Sequence, residues 1–233
     1  MRAVVHQPQY FPYPGFFHKL GQADVFVVMD DVQYDRGFMN RNRILDTHGP
    51  VWLTVPVVKP HRPVQVREVE INNELPWAKD HWRKLLVSYS NSRFFGLYRD
   101  ELRSLYEGTW RSLCDLNLET LERSMRWLGI RVETIRESEL GVTTSKSQRI
   151  VDVCRAIGAD TYLSGRGGRD YIDEALFRGS GVRLEFQDYS PRPYPQRFTE
   201  RFVPDLSILD LLANAGPGSA QLLAPTDPVT AAT

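Results

Sequence analysis

The chain has 233 residues and a mass of 26.8 kDa, with 42% apolar and 25% charged residues, which excludes collagen, coiled coil and wholesale disorder. Lysine plus arginine equals aspartate plus glutamate at 29 each and the sequence pI is about 7.0, so no net field draws the protein onto nucleic acid or anionic lipid. Apolar runs such as 25–29 fall far short of the roughly 20 residues of a bilayer helix, and the amino terminus lacks a signal-peptide core, so a cytoplasmic protein without membrane insertion is expected.

Residues 2–5 read as a short strand that ends at His6-Gln7-Pro8, and Pro8, Pro12 and Pro14 then keep the backbone out of helix. From Pro14 to Gly21 a short helix is expected, with proline near its start and glycine near its end. Residues 25–29, bounded by Asp24 and Asp30, have the continuous apolar character of a strand buried on both faces. Strand, helix, strand predicts a parallel pair with a right-handed crossover, its carboxyl ends on one edge of the sheet. His6 and Asp30-Asp31 then meet at the edge where open α/β sheets bind ligands and where helix amino ends favour anions.

Further along, 51–57 and 64–71 read as strands that form a hairpin or a pair of edge strands, joined by a basic, proline-containing surface loop with Lys59, His61 and Arg62. Helical spacing predicts helices over 76–90, 97–106 and 110–128, a helical insertion or cap between two α/β segments. Trp77, Trp82 and Trp110 on these helices are read as core or interface residues and are assigned no chemistry. Then follow a strand at 130–135, a helix at 145–157 capped by Thr144 or Ser145, a strand at 161–163, a helix at 169–177, a strand at 182–186 and a short helix at 206–213. The tail 217–233 is expected to be partly mobile, most of all over its last ten or so residues. Cys114 and Cys154 lie in helical patterns without metal-ligand spacing and are expected to be buried and reduced; no metal site is expected.

His6 ranks first among candidate catalytic residues, because an imidazole titrating near 6.5 serves as general acid, base or phosphate partner. Asp30 and Asp31 point to opposite faces if extended, so one of them is expected to enter the crevice and orient His6, hold Mg²⁺ or accept a proton. Candidate substrate contacts are Gln7 and Tyr10 in the proline-fixed loop and Gln33 on the side of Asp31. Asn40, Arg41 and Arg43 are added because guanidinium forks suit phosphate or carboxylate. Ser164, Gly165 and Arg169 belong to a glycine-rich strand-to-helix connection that permits close approach of an anion. That segment is neither a Walker loop nor a dinucleotide fingerprint, and Ser164 lacks the context of a covalent nucleophile.

The stretches His6-Gln7-Pro8-Gln9-Tyr10-Phe11-Pro12, Pro14-Gly15-Phe16-Phe17, Asp30-Asp31-Val32-Gln33-Tyr34 and Asn40-Arg41-Asn42-Arg43-Ile44 resemble the WbqC-like protein family. Trp52-Leu53-Thr54-Val55-Pro56, Trp82-Arg83-Lys84, the run 158–165, Arg169-Asp170-Tyr171, Tyr194-Pro195-Gln196 and Leu206-Ser207-Ile208-Leu209-Asp210 continue the likeness in order, from residue 2 to about 216. The resemblance implies a transferase of surface-polysaccharide or natural-product biosynthesis, acting on a small-molecule substrate. A second, weaker similarity is to nucleotidylyltransferase folds, although His18 is not at the spacing of their paired histidines. The fold expected is thus α/β, with a mainly parallel sheet of Rossmann or nucleotidylyltransferase-like type and a helical insertion at about 76–128, in one domain spanning 1–216. The leading functional expectation is transfer of an acyl or aminoacyl-type group, from an activated donor, onto an amine of a nucleotide sugar or other precursor. The alternatives are nucleotidyl transfer or nucleotide-dependent activation with ATP or CTP and Mg²⁺, and a nonenzymatic nucleotide-sugar or partner-binding protein.

Overall fold

The prolines after residue 6 stop the first strand, β1 (Arg2–His6), and Pro14 begins helix α1 (Pro14–Leu20). The structure, a computed structural model, describes residues 1–224. Strand β2 (Val25–Val28) is followed by the hairpin β3 (Arg41–Asp46) and β4 (Gly49–Thr54), then by helices α2 (Trp77–Tyr89), α3 (Arg99–Glu107) and α4 (Leu113–Leu128). The alternation returns with β5 (Glu133–Arg136), α5 (Lys146–Ala156), β6 (Thr161–Ser164), α6 (Glu174–Ser180) and β7 (Arg183–Phe186), and the helices α7 (Ile208–Ala215) and α8 (Ser219–Leu223) close the chain.

Five strands form one sheet in the order β5-β2-β1-β6-β7, and every neighbouring pair is parallel. The expected parallel neighbours at 2–5, 25–29 and 161–163 are therefore present. Alternation sends successive side chains to opposite faces. Ala3, Val5, Val25 and Val27 pack with Ile150 and Val153 of α5 and Phe177 of α6. Val4, Phe26 and Val28 pack on the other face with Phe16 and Leu20 of α1, Leu116 and Leu121 of α4 and Leu212 of α7. The helices of 77–128 thus share the larger core with α1, and α4 returns the chain from the inserted segment to β5.

The chain steps outward from β1 through β2 to β5, then crosses to β6 and β7 on the other side, so the order reverses between β1 and β6. β1 pairs with β2 as far as His6 but with β6 only at Arg2 and Ala3. The ladder stops short on the β6 side because connections leave the two carboxyl ends in opposite directions, the geometry that opens a ligand crevice.

Two expected elements are corrected. The hairpin is β3 with β4, not 51–57 with 64–71; among the described residues the latter pair meets in a bridge between Val57 and Ile71 beside a three-ten turn at Val66–Glu68. The turn chemistry decides it: Asp46 Oδ1 accepts from the His48 amide at 2.8 Å and Gly49 has a φ of 110°, whereas Pro60 and Pro63 offer no amide to a second ladder. The helix expected over 169–177 lies at Glu174–Ser180, because the Asp173 carboxylate caps it by accepting from the Ala175 and Leu176 amides at 3.0 and 3.1 Å.

Of the tail expected over 217–233, residues 219–223 form α8 with Leu223 buried in the larger core, and the mobile end expected there falls mostly on 225–233, outside the described residues. Cys114 and Cys154 are free and buried, and burial pushes each thiol up to about 12. No helix among the described residues is long and apolar enough to cross a membrane.

Candidate functional site

His6 ends β1 in register with Val28 of β2, partly buried with its ring edge-on to Phe16 at 5.0 Å between centroids. Its Nδ1 lies 2.9 Å from the Gln7 carbonyl oxygen, which can only accept, so Nδ1 carries the proton and the Nε2 lone pair has no partner among the described residues. Burial, reinforced by the charge of Lys19, holds the imidazole down to about 3 against the opposing Gln7 bond. His6 is therefore a neutral hydrogen-bond acceptor at physiological pH.

The loop after His6 is fixed from three sides. Asn117 of α4 donates to the carbonyls of Pro8 and Met39 at 3.1 and 2.7 Å. Asn42 of β3 and Ser207 at the start of α7 both donate to the Phe11 carbonyl, at 2.7 and 3.0 Å. Phe11 takes a φ of 40°, left-handed for a bulky residue, and this ring of bonds maintains it. Gln7 remains partly exposed, and the neighbouring Gln9 keeps a buried Oε1 without a partner among the described residues.

Tyr10 goes elsewhere: its side chain is fully buried, with its hydroxyl 3.0 Å from His81 Nδ1 and 2.6 Å from the Tyr106 hydroxyl. His81 Nε2 faces the Thr54 carbonyl at 3.1 Å and must donate there, so Tyr10 donates to Nδ1 and accepts from Tyr106. That chain belongs to the core and presents nothing to a substrate.

At the end of β6, Ser164 is buried with its Oγ 3.2 Å from the Gly165 carbonyl. Gly168 folds directly over it: a Cβ there would stand 2.0 Å from Ser164 Oγ and 2.9 Å from Ile172 Cδ1. Gly168→Ala should therefore cost about 1–3 kcal/mol, the scale of overpacking a tight site. Gly167→Ala, whose Cβ would meet nothing within 4 Å, should be nearly neutral. Denaturant titration of both variants and of Ser164→Ala/Gly168→Ala checks this; a double variant no more stable than Gly168→Ala would remove Ser164 as the obstacle. Arg169 is exposed and stacked on Phe186, its guanidinium carbon 4.2 Å from the ring centroid.

Asp30 and Asp31 follow β2, but neither carboxylate bonds His6. Asp30, with no exposed surface, accepts from the amide and hydroxyl of Ser138, each at 2.9 Å, and so ties the ends of β2 and β5 together. Asp31 lies between two arginines, 2.9 Å from Arg67 and 3.5 Å from Arg149, and Arg149 also binds the buried Glu137 at 2.5 Å. Burial raises Glu137 more than Arg149 lowers it. Gln33 is exposed and bridges to Gln65. Asn40 is buried and donates to the Val55 carbonyl at 2.9 Å. Arg41 and Arg43 alternate outward from β3 as expected and stack on Trp52, with guanidinium carbons 4.6 and 5.7 Å from its ring centroid. They stand on the hairpin, not on the strand ends.

Near the same strand ends stands Lys19, which sequence reasoning passes over. It is only 3% exposed, no carboxylate or hydrogen-bond acceptor engages its ammonium among the described residues, and burial lowers it to about 8. The available signal is α1 itself: Pro-Gly-Phe-Phe-His-Lys-Leu lies between two buried strands, so all seven of its residues are buried, charged ones included. His18 sits beside it, its Nδ1 2.8 Å from Gln187 Nε2 and its pKa lowered chiefly by burial.

A sequence profile described as the WbqC-like protein family matches residues 7–222. The chain is 35% identical over 219 residues, 92% of its length and 94% of the relative's, to the uncharacterized protein Rv1507c of Mycobacterium tuberculosis. No solved structure matches it.

Proposed function

The chain belongs to the WbqC-like protein family, and on that premise we propose that it is a transferase for a small precursor of surface-polysaccharide or natural-product biosynthesis. The reaction proposed is transfer of an acyl or aminoacyl-type group, from an activated donor, to an amine at the crevice between β1 and β6. The strand order supports reading the sheet as Rossmann or nucleotidylyltransferase-like, a type that places its ligand at such a reversal.

One observation carries the amine acceptor: His6 is held neutral, with Nδ1–H on the Gln7 carbonyl and no partner for Nε2 among the described residues. So weak a base does not ionise a hydroxyl. An amine needs no such help, since its free base attacks directly, and the nitrogen turns strongly acidic once bonded to the acyl carbon. Nε2 then takes that proton as the leaving group departs. In this reading Gln7 aims the imidazole, Gly165 makes room for the substrate, and Asp30 and Asp31 keep the strand ends in place.

The test begins with a thermal-shift panel of nucleotides, nucleotide sugars, coenzyme A thioesters and aminoacyl donors, because a ligand that binds only the folded state raises the midpoint. With the donor in hand, His6→Ala should lower turnover by about 10² to 10⁴, the usual loss with a general acid or base. His6→Gln should not restore it. Retention of most activity in His6→Gln would reduce the imidazole to a loop-shaping role, and pyrophosphate release from ATP or CTP would favour nucleotidyl transfer instead.

A further inference from the structure

We propose that Lys19 is the counter-charge for a phosphoryl group of the ligand, bound between the carboxyl ends of β1 and β6. This rests on the crevice reading above and names the chemistry that the crevice accepts.

The first observation is the missing partner. Lys19 is 3% exposed and its ammonium meets no carboxylate among the described residues, although 29 acidic side chains are available to the chain. An ammonium on a side chain almost wholly closed to water, with no counter-ion beside it, is poorly solvated, so a fold retains one where something else completes it.

The second is direction. Lys19 lies in the last turn of α1, and helical side chains lean toward the amino end of their helix, here the ligand edge of the sheet. Its Nζ runs back past Phe16, 5.7 Å from the ring centroid, and stops beside Gly165, 3.8 Å from where a Cβ on that residue would be. The ammonium thus lies beside the residue that follows β6, past the last pair of the β1–β6 ladder.

The third is charge count. His6 is neutral and contributes none, but Arg166 follows Gly165 directly and bonds the Tyr189 carbonyl at 3.0 Å; at Tyr13, before α1, the Asp205 carboxylate outweighs it. A buried ammonium beside an unsubstituted glycine, with a second positive charge on the next residue of the chain, suits a dianionic, tetrahedral phosphoryl group better than a planar monoanionic carboxylate. Neutralising Lys19 also removes one of the forces that hold His6 deprotonated, so an occupied site makes the imidazole a better proton acceptor.

The experiment follows the Lys19 Nζ and His6 side-chain resonances of the full chain by NMR while sodium pyrophosphate, adenosine diphosphate or malonate is added, alongside binding to Lys19→Met and Lys19→Arg. Pyrophosphate should move the Lys19 and His6 midpoints to higher pH, Lys19→Met should weaken its binding at least tenfold, and Lys19→Arg should recover part of it. A response to adenosine diphosphate equal to or stronger than that to pyrophosphate also supports the assignment and identifies the phosphoryl group as a nucleotide's. Unchanged Lys19 resonances, full affinity in Lys19→Met, or a response to malonate alone would overturn it. These readouts need no turnover, so an active His6→Gln enzyme would sink the catalytic reading and leave this one standing.

Discussion

Lowering the pH from 7 to 4.5 should strip about 5 kcal/mol from the folding stability through two histidines alone, a loss comparable with the whole stability of many domains. His6 is held down to about 3 and His81 to about 4, from an ordinary value of 6.5, in both cases chiefly by burial. Between the folded and unfolded values the unfolded chain binds the extra protons, so stability is complete above 6.5 and falls as the pH drops through that window. His81 cannot take a proton without breaking its chain: Nδ1 would become a donor facing the Tyr10 hydroxyl, which already donates to it. Denaturant titrations at pH 7 and 4.5 measure the loss, and His81→Gln should shrink it by about 2.5 kcal/mol, its share at that pH. A wild-type loss under 1 kcal/mol would mean that both imidazoles protonate freely in the folded protein.

Lys19→Met should raise stability at pH 7 by about 3 kcal/mol, even though it removes the charge to which a binding role is assigned. Burial lowers Lys19 from 10.5 to about 8, so the folded state carries a desolvation cost at neutral pH that methionine, of similar length and apolar, avoids. Unfolded chains keep the lysine proton up to 10.5 while the folded one releases it near 8. Wild-type stability therefore rises with pH across that window, and the advantage of the variant fades over the same range. Thermal unfolding of both proteins at pH 7, 8.5 and 10 gives the comparison. A variant less stable than wild type at pH 7 would show that Lys19 has found a favourable partner within the fold. A buried charge retained at such a cost is the usual trade of stability for function.

Several residues behind the family resemblance prove to be structural. Asp210 has no exposed surface and accepts from Tyr89 at 2.9 Å, Tyr194 at 2.8 Å and Gln196 at 2.9 Å, which joins the Tyr-Pro-Gln stretch to α7 and α2. Tyr10 and Asn40, proposed as substrate contacts from their neighbours in sequence, are likewise core hydrogen-bonding groups. A polar residue in a conspicuous motif reads the same in one dimension whether it faces a substrate or a buried carbonyl.

Local sequence suffices for the alternation of strands and helices, the parallel pairing of 2–5 with 25–29, and the place of His6 at a strand end. Those follow from apolar runs, side-chain periodicity and the prolines and glycines that interrupt them, all of which act within a few residues. What each polar group meets depends on the folded chain. Tyr10 finds His81 across 71 positions, Asp30 finds Ser138 across 108 and Gln187 finds His18 across 169, and no local rule selects such partners. Lys19 shows the same division: its helix is legible from Pro14 and Gly21, but its burial without a counter-ion among the described residues exists only once β1, α1 and β6 are brought together.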